Sequence, residues 1–138
     1  MAVAISPVPT ARQPVEVELA NIKPTGPAAA ALVSGGLGVL AMAISQIAAE
    51  GSEATKNAIH NLGKLWIPGA QGIGPYSGKE TIALVVWLAS WAILHYALRR
   101  REVSLVTYGL GFLVLIGLST TMLWPPVTHE IVKLLFGK

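Results

Sequence analysis

The sequence has 138 residues, of which 53% are hydrophobic and 12% are charged, whereas about a quarter of the residues in an ordinary soluble domain are charged. This balance, with a mean hydropathy of +0.59, indicates a small integral membrane protein. The absence of cysteine excludes disulfides, iron–sulfur clusters and thiol nucleophiles within the chain, and the net charge of +3 gives no large basic surface for nucleic acid.

Residues 1–27 form a proline-rich leader. Proline at that density blocks helix formation and favours extended or irregular structure. The leader also lacks a positively charged start followed by an apolar core, so it does not resemble a cleavable signal peptide. We expect it to lie on the cytoplasmic side, disordered when free, and to bind along a partner subunit.

Residues 28–49 form the first apolar stretch. As a helix they would extend about 33 Å, enough to cross a bilayer. Ala30, Ser34 and Gly38 recur every four residues, a spacing that lets helix backbones approach closely in lipid. We therefore predict a packing face for a helix of this chain or of a partner. The alternative is that small residues are simply common in membrane helices.

Residues 50–79 form a polar connection on the other side of the membrane. Ser52 is a suitable N-cap, and the apolar residues after it recur at helical spacing. This pattern predicts an amphipathic helix that lies in the membrane interface. The same pattern also suits an outer helix packed on a neighbouring subunit.

The end of this connection resembles a phosphate-binding loop only superficially. A Walker A loop needs glycine five residues before its Gly-Lys pair and serine or threonine after it. Ile73 and Glu80 occupy those positions, so we predict no nucleotide binding. We expect Ser77 to cap the next helix, with Lys79 and Glu80 near the lipid head groups.

Two further apolar stretches, 80–98 and 103–124, are separated by the short loop 99–102. We predict that they form a tight antiparallel helical hairpin. Gly109 and Gly117 in the third stretch would allow close approach of a partner helix. Pro125 and Pro126 end that stretch, and we expect Thr128 to cap a short amphipathic helix within 125–138.

The loop between the hairpin helices predicts the orientation. Arg99, Arg100 and Arg101 follow directly on an apolar stretch, and arginines beside a span stay in the cytoplasm near the head groups. The N-terminus would then be cytoplasmic and the C-terminus on the opposite side of a bacterial inner membrane, or of an internal energy-converting membrane.

His95 is the sharpest candidate for a functional side chain. Together with Trp87 and Trp91 it forms a stripe with a four-residue period, and an ionisable residue inside a span is a functional candidate by default. The stripe would suit a haem, a chlorophyll-type pigment or a bound lipid, although none is required. Ordinary packing of the two indoles and a hydrogen-bonded His95 near the surface is the alternative.

The remaining polar residues favour a binding role over catalysis. No serine, glutamate or lysine stands beside a catalytic partner, and no spacing suits a metal site. We therefore expect a non-catalytic accessory subunit of a larger bacterial membrane complex, of an oxidase, oxygenase or photosystem type, that contacts other membrane subunits and lipids. The alternatives are a haem- or pigment-binding subunit with His95 as axial ligand, and a small homo-oligomeric channel or transporter.

Overall fold

The computed structural model describes residues 24–137, which contain helices and no strand. The helices are α1 (Gly26–Gly51), α2 (Glu53–Lys64), α3 (Tyr76–Leu98), α4 (Leu105–Leu123) and α5 (Pro125–Phe136), with a 3₁₀ turn at Ala70–Gly72. By length and composition, α1, α3 and α4 are each able to cross a membrane. The prediction of an all-α chain with three helices of membrane-spanning length is confirmed.

The start of α1 differs from the predicted boundary between leader and span. Residues 1–23 of the predicted leader lie outside the described residues. Gly26 and Pro27 belong to α1, because proline needs no hydrogen-bond donor in the first turn of a helix. At its other end α1 stops at Gly51, and the predicted N-cap of α2 is confirmed: the hydroxyl of Ser52 accepts a hydrogen bond from Thr55 N at 3.4 Å.

Helix α1 lies at the centre of the bundle and packs against both α3 and α4. Glycine makes these approaches close: a Cβ added at Gly38 would lie 2.9 Å from Trp87 Cβ, and one added at Gly36 would lie 2.9 Å from Leu115 Cδ1. The largest fully buried side chains of the described part are serines. Close backbone packing therefore holds these helices together, as in membrane bundles, rather than a core of large apolar side chains.

The predicted tight hairpin of the second and third stretches is wrong in its packing. Helices α3 and α4 are antiparallel neighbours in the chain, but each packs on α1 and they make few direct contacts with each other. The connection 99–104 brings only their ends together. The small residues of α1 offer both helices a closer approach than their own large side chains would.

The start of α1 is bound to the arginine-containing connection. The hydroxyl of Thr25 donates to Val103 O and accepts from Val103 N, both at 2.8 Å. Gly26 N donates to Arg101 O at 3.0 Å. This junction defines one end of the bundle, while the facing of that end toward the cytoplasm stays a prediction.

Helices α2 and α5 fold over the opposite end of the bundle. Helix α2 packs on the start of α3 through Gly63 and Gly78, and Phe136 of α5 packs on Gly51. The predicted cap at Thr128 is wrong, since Trp124 is the N-cap of α5. Thr128 lies in the first turn instead, and its hydroxyl donates to Met122 O at 2.5 Å, satisfying a carbonyl at the end of α4.

Candidate functional site

A polar cavity of about 520 Å³ lies at the end of the bundle covered by α2 and α5. It is formed by the last turns of α1, the first turns of α2 and α3, and α5. Its polar lining consists of Gln46, Glu50, Glu53, Lys56, Tyr76, Lys79 and His129. This volume falls within the range of roughly 300–1,000 Å³ that is typical of small-molecule sites.

Lys79 is the buried cation of this cavity. Only 4% of the residue is exposed, its Nζ donates to Gln46 Oε1 at 2.5 Å, and it lies 5.0 Å from the centre of the Tyr76 ring. Gln46 Nε2 in turn donates to Glu50 Oε1. The chain of contacts links a buried ammonium to an exposed carboxylate, which offsets part of the cost of removing the ammonium from water.

Two sequence-based predictions concern the start of α3, and the one for Ser77 is wrong. Lys79 was expected in the first turn of the second span, near the lipid head groups; it does lie in that turn, buried against α1, and its level in a membrane stays a prediction. Ser77 was expected to cap the helix, but Pro75 is the N-cap and Ser77 is fully buried in the first turn. Its Oγ packs where a side chain of Gly63 would otherwise lie.

The rim of the cavity carries charges of both signs. Lys56 Nζ and Glu53 Oε1 form an ion pair of 3.3 Å on the first turn of α2. Glu50 of α1 and His129 of α5 also line the cavity, and both are exposed. Two lysines and two glutamates therefore line the cavity, so it presents partners for both a positive and a negative group.

The predicted stripe on α3 is present as one face of that helix. The rings of Trp91 and His95 are in contact, with centroids 5.3 Å apart and planes inclined by 36°. Trp87 packs on Gly38 and borders an apolar groove of about 280 Å³ between α1 and α3. Both indoles stay more than 40% exposed, so the stripe faces away from the bundle over much of its area.

No second histidine of this chain lies near His95. His95 is in the last turn of α3, whereas His60 and His129 belong to α2 and α5 at the other end. Lys79, which marks that end, is sixteen residues away along α3, or about 24 Å. Within residues 24–137 there is also no group of three potential metal ligands from His, Cys, Asp or Glu.

The predicted packing residues of α1 lie inside the bundle, whereas those of α4 lie on its outside. Ala30 and Ser34 are fully buried and Gly38 contacts α3, so this face is used inside the chain. At Gly109 and Gly117 an added Cβ would meet nothing within 4 Å. The space beside Gly109 and Gly117 of α4 is therefore open to a neighbour, whereas the space beside Gly38 of α1 is filled by α3.

The hydroxyl groups that a channel would need bond within their own helices. Ser90 donates to Trp87 O, Ser119 to Leu115 O and Thr121 to Gly117 O. The hydroxyl of Thr107 lies 3.1 Å from that of Ser104, one turn earlier. These groups offer no support for a polar path between α1, α3 and α4.

Sequence reasoning missed the cavity because its residues come from four separate helices. One signal was present: Gln46 is the only amide side chain in the apolar stretch 28–49, and Glu50 follows it by one turn. A polar residue in such a stretch normally faces protein or water. Its partner Lys79 is 33 residues away in the sequence, and the periodicity within one helix does not indicate contacts between residues of different helices.

Comparison with known protein families, with curated proteins and with solved structures finds no match to this chain. Its function is therefore inferred from three features described above. They are the polar cavity, the indole–imidazole stripe of α3 and the open glycine face of α4.

Proposed function

We propose that this chain is a non-catalytic structural subunit of a larger bacterial membrane complex, in which α4 packs against a helix of a neighbouring subunit. The observation that carries the proposal is the outward face of α4. Gly109, Leu113 and Gly117 follow one another at a four-residue spacing, and the space beside both glycines is open. Large apolar side chains surround them: Val106 and Leu110 are 74% and 59% exposed.

This surface suits a helix better than it suits lipid. Glycines on an exposed helix face leave shallow gaps, and a second helix can fill such gaps with close backbone contact. Helix α1 already uses this mode inside the chain, where Gly38 receives Trp87. The same physics at Gly109 and Gly117 would attach the chain to another subunit.

The type of complex is proposed from the stripe on α3. Trp87, Trp91 and His95 present two indoles and an imidazole on a partly exposed face, and aromatic faces suit planar cofactors held by a neighbour. We therefore place the parent complex among redox or energy-converting assemblies. The chain would pack against the catalytic subunit and position it.

Replacing both Gly109 and Gly117 by leucine is expected to detach the partner without unfolding the chain. Leucine would fill the gaps, and overpacking of this size weakens association about tenfold or more. The measurement is purification of a tagged chain from its native membranes, with quantification of the co-purifying subunits. The double variant should melt like the unmodified chain in detergent because a Cβ at either position meets nothing within 4 Å, so the side chains start out into open space.

Gly111→Leu provides the matched control. Gly111 is also open, but it lies 200° around the helix from Gly109 at 100° per residue, so this variant should keep its partners. Purification of the unmodified chain as a monomer without other subunits would contradict the proposal. Full retention of partners by the double variant would contradict the assignment to this face.

A second candidate function is ligation of a haem or pigment by His95, favoured by the ring of Trp91 beside the imidazole. Since this chain brings no second histidine to that end, the ligand would be held by a single axial bond or shared with another subunit. His95→Ala is expected to remove a visible absorbance band from the purified complex, while His129→Ala keeps it. An unchanged spectrum in the first variant would eliminate this function.

A further inference from the structure

We propose that the polar cavity at the end of the bundle binds a phosphoethanolamine group, the zwitterionic head group of an ethanolamine phospholipid. The proposal goes beyond the structural role above and uses different residues. The cavity lies where α3 begins and α1 ends. In a helix long enough to cross a bilayer, that end reaches the level of the lipid head groups.

The balance of charge favours a zwitterion over an ion of one sign. Two lysines and two glutamates line the cavity. A simple anion would lie beside the carboxylates, and a simple cation would lie beside the ammonium groups, at a cost that rises as water is excluded. A ligand that carries a phosphate and an ammonium a few ångströms apart can pair with both sets.

The phosphate would bind at the inner side, against Lys79. An ammonium has three donors, and the hydrogen bond to Gln46 Oε1 is the one that the structure shows for Lys79 Nζ. Pro75 and Tyr76 also line the cavity, so the first turn of α3 adjoins the same space. Backbone N–H groups of a first helical turn have no partner within the helix and favour an anion.

The ammonium of the ligand would bind at the rim, against Glu50 and Glu53. Gln46 Nε2 occupies Oε1 of Glu50, which leaves the second carboxylate oxygen as an acceptor. A primary ammonium can donate to such oxygens, whereas the quaternary ammonium of choline cannot and is normally held by several aromatic rings. Tyr76 is the aromatic residue of the cavity lining, and it already contacts Lys79. Ethanolamine therefore fits this lining better than choline.

Lipid binding to the full-length chain in detergent tests the proposal, measured as bound lipid by native mass spectrometry. The probes are dioleoyl phosphatidylethanolamine, phosphatidylcholine and phosphatidylglycerol, with soluble phosphoethanolamine as competitor. The ethanolamine lipid is expected to bind about tenfold more tightly than the other two, as one charge-assisted contact would provide. Equal binding of all three lipids would overturn the proposal.

The competitor distinguishes the source of the group. A membrane lipid should resist millimolar phosphoethanolamine because its acyl chains add apolar contact along α3. Displacement by equimolar phosphoethanolamine would support the head-group chemistry and overturn the lipid source. Neither result depends on co-purifying subunits, so failure here and failure of the proposed structural role are distinguishable.

Glu50→Gln locates the site. Glu50 is exposed and glutamine keeps an oxygen that accepts from Gln46 Nε2, so the variant should fold normally. Its preference for the ethanolamine lipid over phosphatidylglycerol is expected to fall about tenfold, because one of the two anionic partners of the ammonium is lost. Glu130→Gln, on α5 and outside the cavity lining, should keep the preference. An unchanged preference in Glu50→Gln would overturn the assignment to this cavity.

Discussion

Gly78→Ala is expected to destabilise the chain by about 2–4 kcal/mol, a large effect for the addition of one methyl group. A Cβ at this position would overlap the carbonyl oxygen and carbon of Ile59. These are backbone atoms of α2, so no side-chain rotation can relieve the overlap. The whole of α2 would have to move away from the start of α3, together with the Gly63–Ser77 contact beside it.

Thermal melting in detergent, followed by circular dichroism, measures this effect. Gly111→Ala is the control, since its added Cβ meets nothing within 4 Å. Alanine is favoured over glycine in a helix by up to about 1 kcal/mol, so the control should melt at the same temperature or higher. A melting temperature of Gly78→Ala equal to that of the control would mean that α2 does not pack on α3 through Gly78.

Gln46→Leu is expected to cost about 2–3 kcal/mol because it leaves the buried ammonium of Lys79 without its hydrogen bond. The double variant Gln46→Leu with Lys79→Met should recover most of this loss in stability, since methionine needs no hydrogen-bond partner. Only 4% of Lys79 is exposed, so its ammonium depends on the polar groups that line the cavity. Gln71→Leu, at an exposed glutamine outside the bundle interior, should have little effect.

A double-mutant cycle of the two changes gives the coupling energy directly. Equilibrium unfolding of the four chains in detergent supplies the data. We expect the two effects to differ from additivity by more than about 1 kcal/mol, because residues in one hydrogen-bond network couple. Additivity within about 0.5 kcal/mol would show that Gln46 does not stabilise the buried Lys79.

The helices could be predicted because each depends on a local pattern. Three apolar stretches long enough to span a bilayer predict α1, α3 and α4, and the spacing of apolar residues after Ser52 predicts α2. Which helices pack against each other could not be predicted in the same way. Nothing local indicates that α1 would lie between α3 and α4, because that arrangement depends on how closely Gly36 and Gly38 let other helices approach.

The same rule holds for the candidate residues: those on one helix could be predicted, and those brought together from several helices could not. The stripe of Trp87, Trp91 and His95 could be predicted because it lies on one helix with a regular period. The cavity could not, because Gln46 and Lys79 meet only after α1 and α3 have packed side by side. The burial of Lys79 against Gln46 could not be predicted either, since lysine is rarely buried without a specific partner.

The junction between Thr25 and Val103 has a consequence for the order of synthesis. The two residues are 78 positions apart, and a ribosome needs roughly 4–16 s to add that many at 5–20 residues per second. The start of α1 is therefore bound only after α3 and the connection 99–104 have followed, and the contacts of α1 with Leu115 and Phe136 form later still. Until α3 has followed, the glycine and alanine face of α1 lacks the helix that packs on Gly38 in the folded chain.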